Sequence, residues 1–417
     1  MNRLESKLLF CLILLASLTP LLRFGTEWFD IIVSRIDHHP IPASDFQLHY
    51  LPQAEKIWAG QSDIQQGYFY PPLLAILIIP LLWTTNPVFL WTAFLLLSLL
   101  LLSWITVKHV QDHLTAIDVG SLFLFSLLCL PVLHCLKWGQ ISIVICLLSV
   151  AALLKGGKWG GLMLGMAAAL KGYPILFALS FVIRKDFTAC VGSGLSLLLF
   201  GFLMPLILLN PADIWIFWLQ FVQSGSTIQS VQTLAGGQSL LSSFVRWFDS
   251  GRHVNLDFVV IDVHYSQLFS NAPAVPKPHL FFIAEPLFTI LSVCSGVLLS
   301  LTSLYALLKK SMPHPVHCSL LLCWIALLLP PGWHHYFSFL PFCFFVLYAQ
   351  PMSLSIRALF WFACAIITLP VLMLNANNNV YVIYSSYGLT TLTTLIFWIL
   401  LLYKAVRGSA APQPSLS

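Results

Sequence analysis

Residues 45–72, DFQLHYLPQAEKIWAGQSDIQQGYFYPP, form a long polar stretch near the front of a chain that otherwise reads as hydrocarbon, and they end where an apolar run begins. Their surroundings decide the class. Of 417 residues, 59% are hydrophobic and 8% are charged, with a mean hydropathy of +0.88. Soluble domains carry about 25% charged residues. The composition describes an all-α polytopic membrane protein, a single integral membrane domain over residues 1–417. Apolar runs recur along nearly the whole length, so a separate soluble domain has nowhere to fit. The net charge of +5 says less than where the charges sit. All ten cysteines (Cys11, Cys129, Cys135, Cys146, Cys190, Cys294, Cys318, Cys323, Cys343, Cys364) fall in apolar runs and read as small core residues rather than bridges or metal ligands.

In chain order, Arg3 and Lys7 precede the apolar run 8–22. No clean small-x-small cleavage site follows, so the run reads as an uncleaved first span with its N-terminus in the cytoplasm. Residues 25–70 form a loop with six acidic residues (Glu27, Asp30, Asp37, Asp45, Glu55, Asp63) against Arg35 and Lys56, which places it outside. Within it, 51–59 has the pattern of a short amphipathic surface helix with Leu51, Ala54 and Trp58 toward lipid. Central spans fill 71–209, near 71–83, 88–107, 119–135, 139–154, 161–183 and 187–209. A second outer loop occupies 210–279. C-terminal spans follow near 280–308, 317–331, 334–349, 354–374 and 388–407, before a disordered tail at 408–417. The expectation is about twelve transmembrane helices and two long outer loops.

Charge placement tests that map. Arg184-Lys185, Lys309-Lys310, Arg357, Lys404 and Arg407 fall on the cytoplasmic side, and the acidic loops and Asn377-Asn378-Asn379 fall outside. Lys108, Lys155 and Lys158 come out on the wrong side if every early run crosses once. An alternative map repairs them by making 71–107 one crossing with a re-entrant start and 161–183 a hairpin of two short helices. No inverted internal repeat is visible.

Four places carry candidate chemistry. In the first loop, Asp45-Phe46, Tyr50, Ala54, Gly60 and Tyr70-Pro71-Pro72 recur in an order that resembles the first external loop of bacterial polyprenol-phosphate-sugar-dependent glycosyltransferases, glycosyltransferase family 87, with the GT-C fold. Lys171 sits in the apolar run GGLMLGMAAALKGYPILFAL (160–179). Lys171-Gly172-Tyr173-Pro174 is similar to the family's lysine-x-tyrosine-proline segment. A lysine near the membrane surface beside freed backbone amides suits phosphate, and the alternative is a snorkelling lysine at a helix end. Lys137-Trp138-Gly139-Gln140 resembles the family's glycine-glutamine-x-asparagine segment, with Ser142 where asparagine is expected; a bare turn is the alternative. Trp333-His334-His335-Tyr336, before Leu340-Pro341, resembles its tryptophan-x-histidine-histidine segment, one residue shorter. Neighbours on a helix point about 100° apart, so one histidine of the pair is expected to face the cavity.

The resemblance implies Asp45 as a catalytic base in an inverting displacement, with Asp63 and Asp37 as reserves. It implies that Lys171, His334 and His335 hold the donor phosphate. Tyr50, Tyr70, Gln140, Tyr173, Trp333 and Glu285 are further site candidates. The implied activity is transfer of a hexose, mannose first, from a polyprenyl-phosphate-linked donor to a glycolipid or glycan acceptor, at the outer side of a bacterial inner membrane. No cofactor, bound metal or nucleic-acid partner is expected; the other partners are membrane lipids. Independently of the family, a lipid-phosphate donor needs spans for its tail and outer loops for its head, and this chain has both. It has no large cytoplasmic loop for a nucleotide-sugar domain and no glycine-rich phosphate loop. A transporter or flippase of a lipid-linked sugar is the alternative. It would put functional polar residues near the midplane, whereas these gather toward the outer boundary. A scaffold subunit is the third reading.

Overall fold

The computed structural model describes residues 43–65, 67–111, 114–224, 237–249, 285–309, 312–329, 332–373, 383–385 and 387–407, with the short pieces 258–259, 275–276 and 281–283. The expected first span 8–22, the loop up to residue 42, most of 250–284, Asn377-Asn378-Asn379 and the tail lie outside the described residues.

The described chain is almost entirely helical. The front half comprises α1 (Leu51–Trp58), α2 (Pro72–Ile78), α3 (Pro87–Val110), α4 (Ala116–Leu127), α5 (Leu130–Trp138), α6 (Ser142–Lys155), α7 (Gly157–Lys171), α8 (Ala178–Ile183) and α9 (Phe187–Leu198). The rear half comprises α10 (Pro211–Ser224), α11 (Leu240–Trp247), α12 (Glu285–Leu307), α13 (His314–Leu328), α14 (Leu340–Tyr348), α15 (Leu354–Met373) and α16 (Leu389–Arg407). Two pairs of two-residue strands, Phe248–Asp249 with Phe281–Phe282 and Phe258–Val259 with Val275–Pro276, sit in the second polar stretch.

Among the described residues, five helices are long and apolar enough to cross a membrane: α3, the run Phe187–Ile207, Pro286–Leu307 of α12, Leu354–Val371 of α15, and α16. The pair α4 and α5, bent by 71°, makes a sixth if taken as one span. The other apolar runs form shorter helices, including Ser142–Lys155, Tyr173–Ile183 and His314–Leu328. Their sequences are interrupted where the chain must turn, at Gly139, Gly156 and Gly172, all with positive φ.

Residues 71–83, expected as a crossing, are too short for one: Pro72–Trp83 rises about 18 Å against a hydrocarbon core of about 30 Å. Both ends also meet the 43–59 segment. Tyr70 packs on Tyr50, and Trp83 packs edge-on against Trp58 at 5.2 Å. That geometry fits the map in which 71–107 crosses once after a re-entrant start. The α1 helix exposes Trp58 as expected but buries Ala54, against the expectation that it faces lipid. Gln53, Ala54 and Ile57 face the protein, while Trp58 is exposed. The reason is Gln53, whose amide donates to the Asp63 carbonyl at 3.3 Å and accepts from the Gln65 N–H at 2.5 Å, tying α1 to the loop that follows. Among the nine described cysteines, seven are buried, Cys190 is half-buried and Cys294 is exposed on α12.

Two features hold the bundle in register. A Cβ added at Gly161 would meet the Ala189 carbonyl at 2.4 Å, and one at Gly165 would meet that of Ser193 at 2.4 Å, so α7 and α9 touch backbone to backbone. Asp186 staples the same pair at their starts, accepting from Ala189 N–H at 3.0 Å and Gly157 N–H at 2.7 Å.

Most of the described basic residues collect at one end of the bundle, with Lys56, Lys137 and Lys171 among those at the other. Arg184 bonds His314, which also lies within electrostatic reach of His109. The Lys309 ammonium donates to the Val406 carbonyl at 3.2 Å, and Lys404 to that of Pro351. Lys108, Lys155 and Lys158, adjoining His109, the α6 C-terminus and Gly157, therefore share an end with Arg184 and Lys185. The opposite end receives Asp45, the α5–α6 turn, the α7 C-terminus and the start of α16.

Candidate active site

The site begins with two glycines. Gly139 ends α5 at φ +65°, and a Cβ there would meet the Cβ atoms of Ala43 and Phe46 at 2.9 Å. Its lack of a side chain lets the 43–46 segment press onto the α5–α6 turn. The Ala43 N–H donates to the Lys137 carbonyl at 2.7 Å, Phe46 stacks on Trp91 at 5.0 Å, and the Trp91 indole donates to the Gly139 carbonyl at 2.7 Å. Asp45, half-buried, is thereby set beside Gln140, whose amide nitrogen donates to its carboxylate. Gly172 ends α7 at φ +69°, and a Cβ there would lie 2.3 Å from the Phe221 ring. The helix stops at Lys171, which is buried at the same spot.

These residues converge on the Gln140 side-chain oxygen. It accepts from the Tyr70 hydroxyl at 2.6 Å, with the Tyr50 hydroxyl at 3.1 Å and the Lys171 ammonium at 3.4 Å. The Tyr50 hydroxyl donates to that of Tyr70 at 2.7 Å. Burial, followed by each other and Asp45 for Tyr50 and by Asp45 for Tyr70, pushes both phenols well above their usual value. They remain protonated donors. Lys171 donates to the Ser142 hydroxyl at 2.8 Å and lies over the Tyr336 and Tyr70 rings at 4.4 and 5.3 Å. Ser142, which stands where the resemblance called for asparagine, is thus a lysine acceptor in its own right.

The two adjacent histidines part company. His334 engages the Thr390 hydroxyl through Nδ1 at 2.9 Å and the Ser385 hydroxyl through Nε2 at 2.8 Å. Both nitrogens are used inside the packing against α16. His335 lies against Tyr336, with ring centroids 4.9 Å apart, and within electrostatic reach of Lys171. Its buried Nδ1 has no hydrogen-bond partner among the described residues. A third ring, His134 of α5, sits 5.4 Å from His334 and 5.6 Å from His335. Sequence reading did not single it out, because a lone histidine in an apolar helix carries no local signal.

Of the other expected residues, Tyr173 packs on Tyr336 at 5.1 Å, beside a narrow cleft also lined by Cys146, Ser149, Phe177 and Leu322. Trp333 is half-buried and joins through its backbone, bridging to Gly237. Glu285 is the first residue of α12, and its side chain falls outside the described residues. Asp63 is exposed and pairs with Lys56 at 2.5 Å, which holds its carboxyl below the usual range; it does not join the Gln140 cluster. Asp37 lies outside the described residues. Among the described residues, no three of His, Cys, Asp or Glu gather as a metal site.

Chemically, the arrangement offers a half-buried carboxylate and a buried ammonium on the two ends of one amide, with an imidazole within electrostatic reach of the ammonium. The family model of glycosyltransferase family 87 matches residues 68–331, a stretch holding Tyr70, Gln140, Ser142 and Lys171 and lying between Asp45 and the histidine pair. Comparison with curated proteins and with solved structures finds no match. Helices built for a membrane, a polar cluster at one end of them and a family match over more than half the length agree: the chain belongs to glycosyltransferase family 87 and is a membrane glycosyltransferase.

Proposed function

We propose that this glycosyltransferase moves a hexose, mannose first among candidates, from a polyprenyl-phosphate-linked donor to a glycolipid or glycan acceptor on the outer face of a bacterial inner membrane, within a GT-C fold of about twelve spans. The observation that carries the reading is the joining of Asp45 and Lys171 through a single side chain, Gln140. A carboxylate and a cation bonded to the two ends of one amide suit a displacement in which one end accepts a proton and the other receives negative charge.

In this mechanism a carboxylate oxygen of Asp45 takes the proton of the acceptor hydroxyl as its oxygen attacks the anomeric carbon. The bond from that carbon to the phosphate oxygen breaks, and its electron pair stays on the phosphate. Charge grows there, and Lys171 and His335 are the groups beside it; because the acceptor oxygen attacks from the face opposite the departing phosphate, the sugar's configuration inverts. Tyr336 lines the cleft beside Lys171 and offers a ring face and a hydroxyl to a sugar, while Tyr50 and Tyr70 lie buried against Gln140. The majority of basic residues, gathered at the opposite end, supports placing the site outside, since cytoplasmic ends are rich in Lys and Arg.

The test is transfer by the purified full-length protein in detergent, given polyprenyl-phosphate mannose and extracted glycolipids. Wild type is expected to move sugar and Asp45→Asn to lose it. Equal transfer by both removes Asp45 as the base, and no transfer from mannosyl or glucosyl donors removes the reading of a polyprenyl-phosphate-hexose donor.

A further inference from the structure

The chemistry of the groups around residue 140 restricts what can stand there. Asp45, as a carboxylate, only accepts hydrogen bonds, and Lys171, as an ammonium, only donates them. Gln140 meets the first with its nitrogen and the second with its oxygen, on which Tyr70 also converges at 2.6 Å. The amide orientation is therefore dictated by its neighbours. A carboxylate at this position would repel Asp45, an ammonium would repel Lys171, and an apolar side chain would satisfy neither. Gln140 is itself buried and cannot turn to water.

Its backbone is fixed as firmly as its amide. The Gln140 N–H donates to the Cys135 carbonyl at 2.8 Å, closing the α5 C-terminus, and Gly139 before it is clasped by Ala43 and Phe46. The Tyr50–Tyr70 pair holds the oxygen end from the far side, at 3.1 and 2.6 Å. Loading Lys171 with an anion withdraws a donor from the Gln140 oxygen, yet both phenols stay. The amide keeps its aim while the ammonium changes partner.

We propose that Gln140 is the positioning residue of the site: its amide nitrogen holds and aims the Asp45 carboxylate, and it ties that carboxylate to the cation that receives the donor phosphate. This rests on the transfer reading above. Gln140 touches neither the breaking nor the forming bond. It acts through Asp45, and its removal shows in the proton affinity and aim of that carboxylate before it shows in donor affinity.

Two measurements on the full-length protein in detergent separate this from the parent reading. The first needs no activity. An infrared pH titration follows the Asp45 carboxyl band, identified by its loss in Asp45→Asn, in wild type, Gln140→Met and Gln140→Glu. The titratable groups facing Asp45 are Tyr50, Tyr70 and Lys171 in wild type and in Gln140→Met, and Gln140→Glu adds its own carboxyl to them. Losing the amide donor moves the Asp45 midpoint upward in Gln140→Met, and adding a like charge moves it further in Gln140→Glu, by about one pH unit or more. The second measurement is transfer from polyprenyl-phosphate mannose. The acid limb of kcat/KM follows the same order, and kcat falls by up to about 10²-fold with donor KM little changed. Coincident Asp45 midpoints in the three proteins overturn the proposal, as does a loss confined to donor KM. If wild type transfers nothing, the transfer reading falls, and the titration still decides whether Gln140 governs Asp45.

Discussion

Replacing Lys171 by methionine should separate function from stability, and the structure indicates how far. In the folded protein the ammonium makes one hydrogen bond to Ser142 at 2.8 Å, a longer one to Gln140 at 3.4 Å, and lies over Tyr336 at 4.4 Å. A hydrogen bond to a charged group contributes about 1.5–3 kcal/mol. A desolvated cation over an aromatic ring adds about 2 kcal/mol. Against these stands the cost of keeping the ammonium out of water, several kcal/mol per buried ion. Methionine of similar length fills the space and removes that cost. The Gln140 oxygen keeps its Tyr70 donor, and Ser142 loses a donor rather than an acceptor. The opposing terms nearly cancel, so Lys171→Met should unfold within about 2 kcal/mol of wild type. Transition-state stabilisation has no such compensation. Withdrawing one preorganised donor from a developing oxyanion costs about 10²–10³-fold in kcat, or about 2.7–4 kcal/mol. Thermal unfolding followed by tryptophan fluorescence, beside the transfer assay, reads both quantities on one preparation. Activity within a few-fold of wild type would refute the assignment of Lys171 to the phosphate. A fall in stability large enough to account for the activity loss would make the lysine a structural residue.

The histidine pair should respond in opposite senses. His334→Ala strips both ring contacts from Thr390 and Ser385 and should cost about 1–3 kcal/mol of stability, read as a lowered unfolding temperature, whereas His335→Ala should cost activity at nearly wild-type stability. Equal effects of the two on transfer would contradict the division of labour. Asp186→Ala should cost about 1–2 kcal/mol, since the carboxylate caps α9 and also holds the first turn of α7. The N–H of Gly157 holds that carboxyl below its usual value, so its contribution is complete above about pH 4 and fades as the pH falls through the lowered value. Wild type and Asp186→Ala should therefore converge in stability under acid, and a gap that persists well below that range would show that the carboxylate charge is not what stabilises.

The sequence made Gln140 and Lys171 visible because each stands out chemically where an apolar run is interrupted, and Asp45 visible only through the family resemblance of Phe46, Tyr50 and Tyr70-Pro71-Pro72 around it. Their convergence was not visible, since it depends on Gly139 letting the 43–46 segment approach and on Gly172 ending α7 at the lysine. His134, Ser385 and Thr390 were missed for a related reason: ordinary polar residues at helix ends acquire meaning only when another element packs on them. The span map shows what a hydropathy window omits. It took 71–83 for a crossing because the run is apolar, although its ends turn back onto one segment. Likewise, α1 has the periodicity of a surface helix, but Gln53 is spent on the neighbouring loop, and this rotates Ala54 inward. Polar residues that bond within the fold look like solvent-facing ones until their partners are known.

The glycine seam between α7 and α9 has a mechanical meaning. Where two main chains rest against each other, no flexible side chains lie between them to absorb a small slide, and the next equivalent seating along a helix is a full turn away, about 5.4 Å. Lys171 is the last residue of one of these rails. Its Cα is therefore a fixed point, and any following of a substrate's phosphate during turnover falls to the four methylenes of its own side chain or to the aromatic rings that surround it.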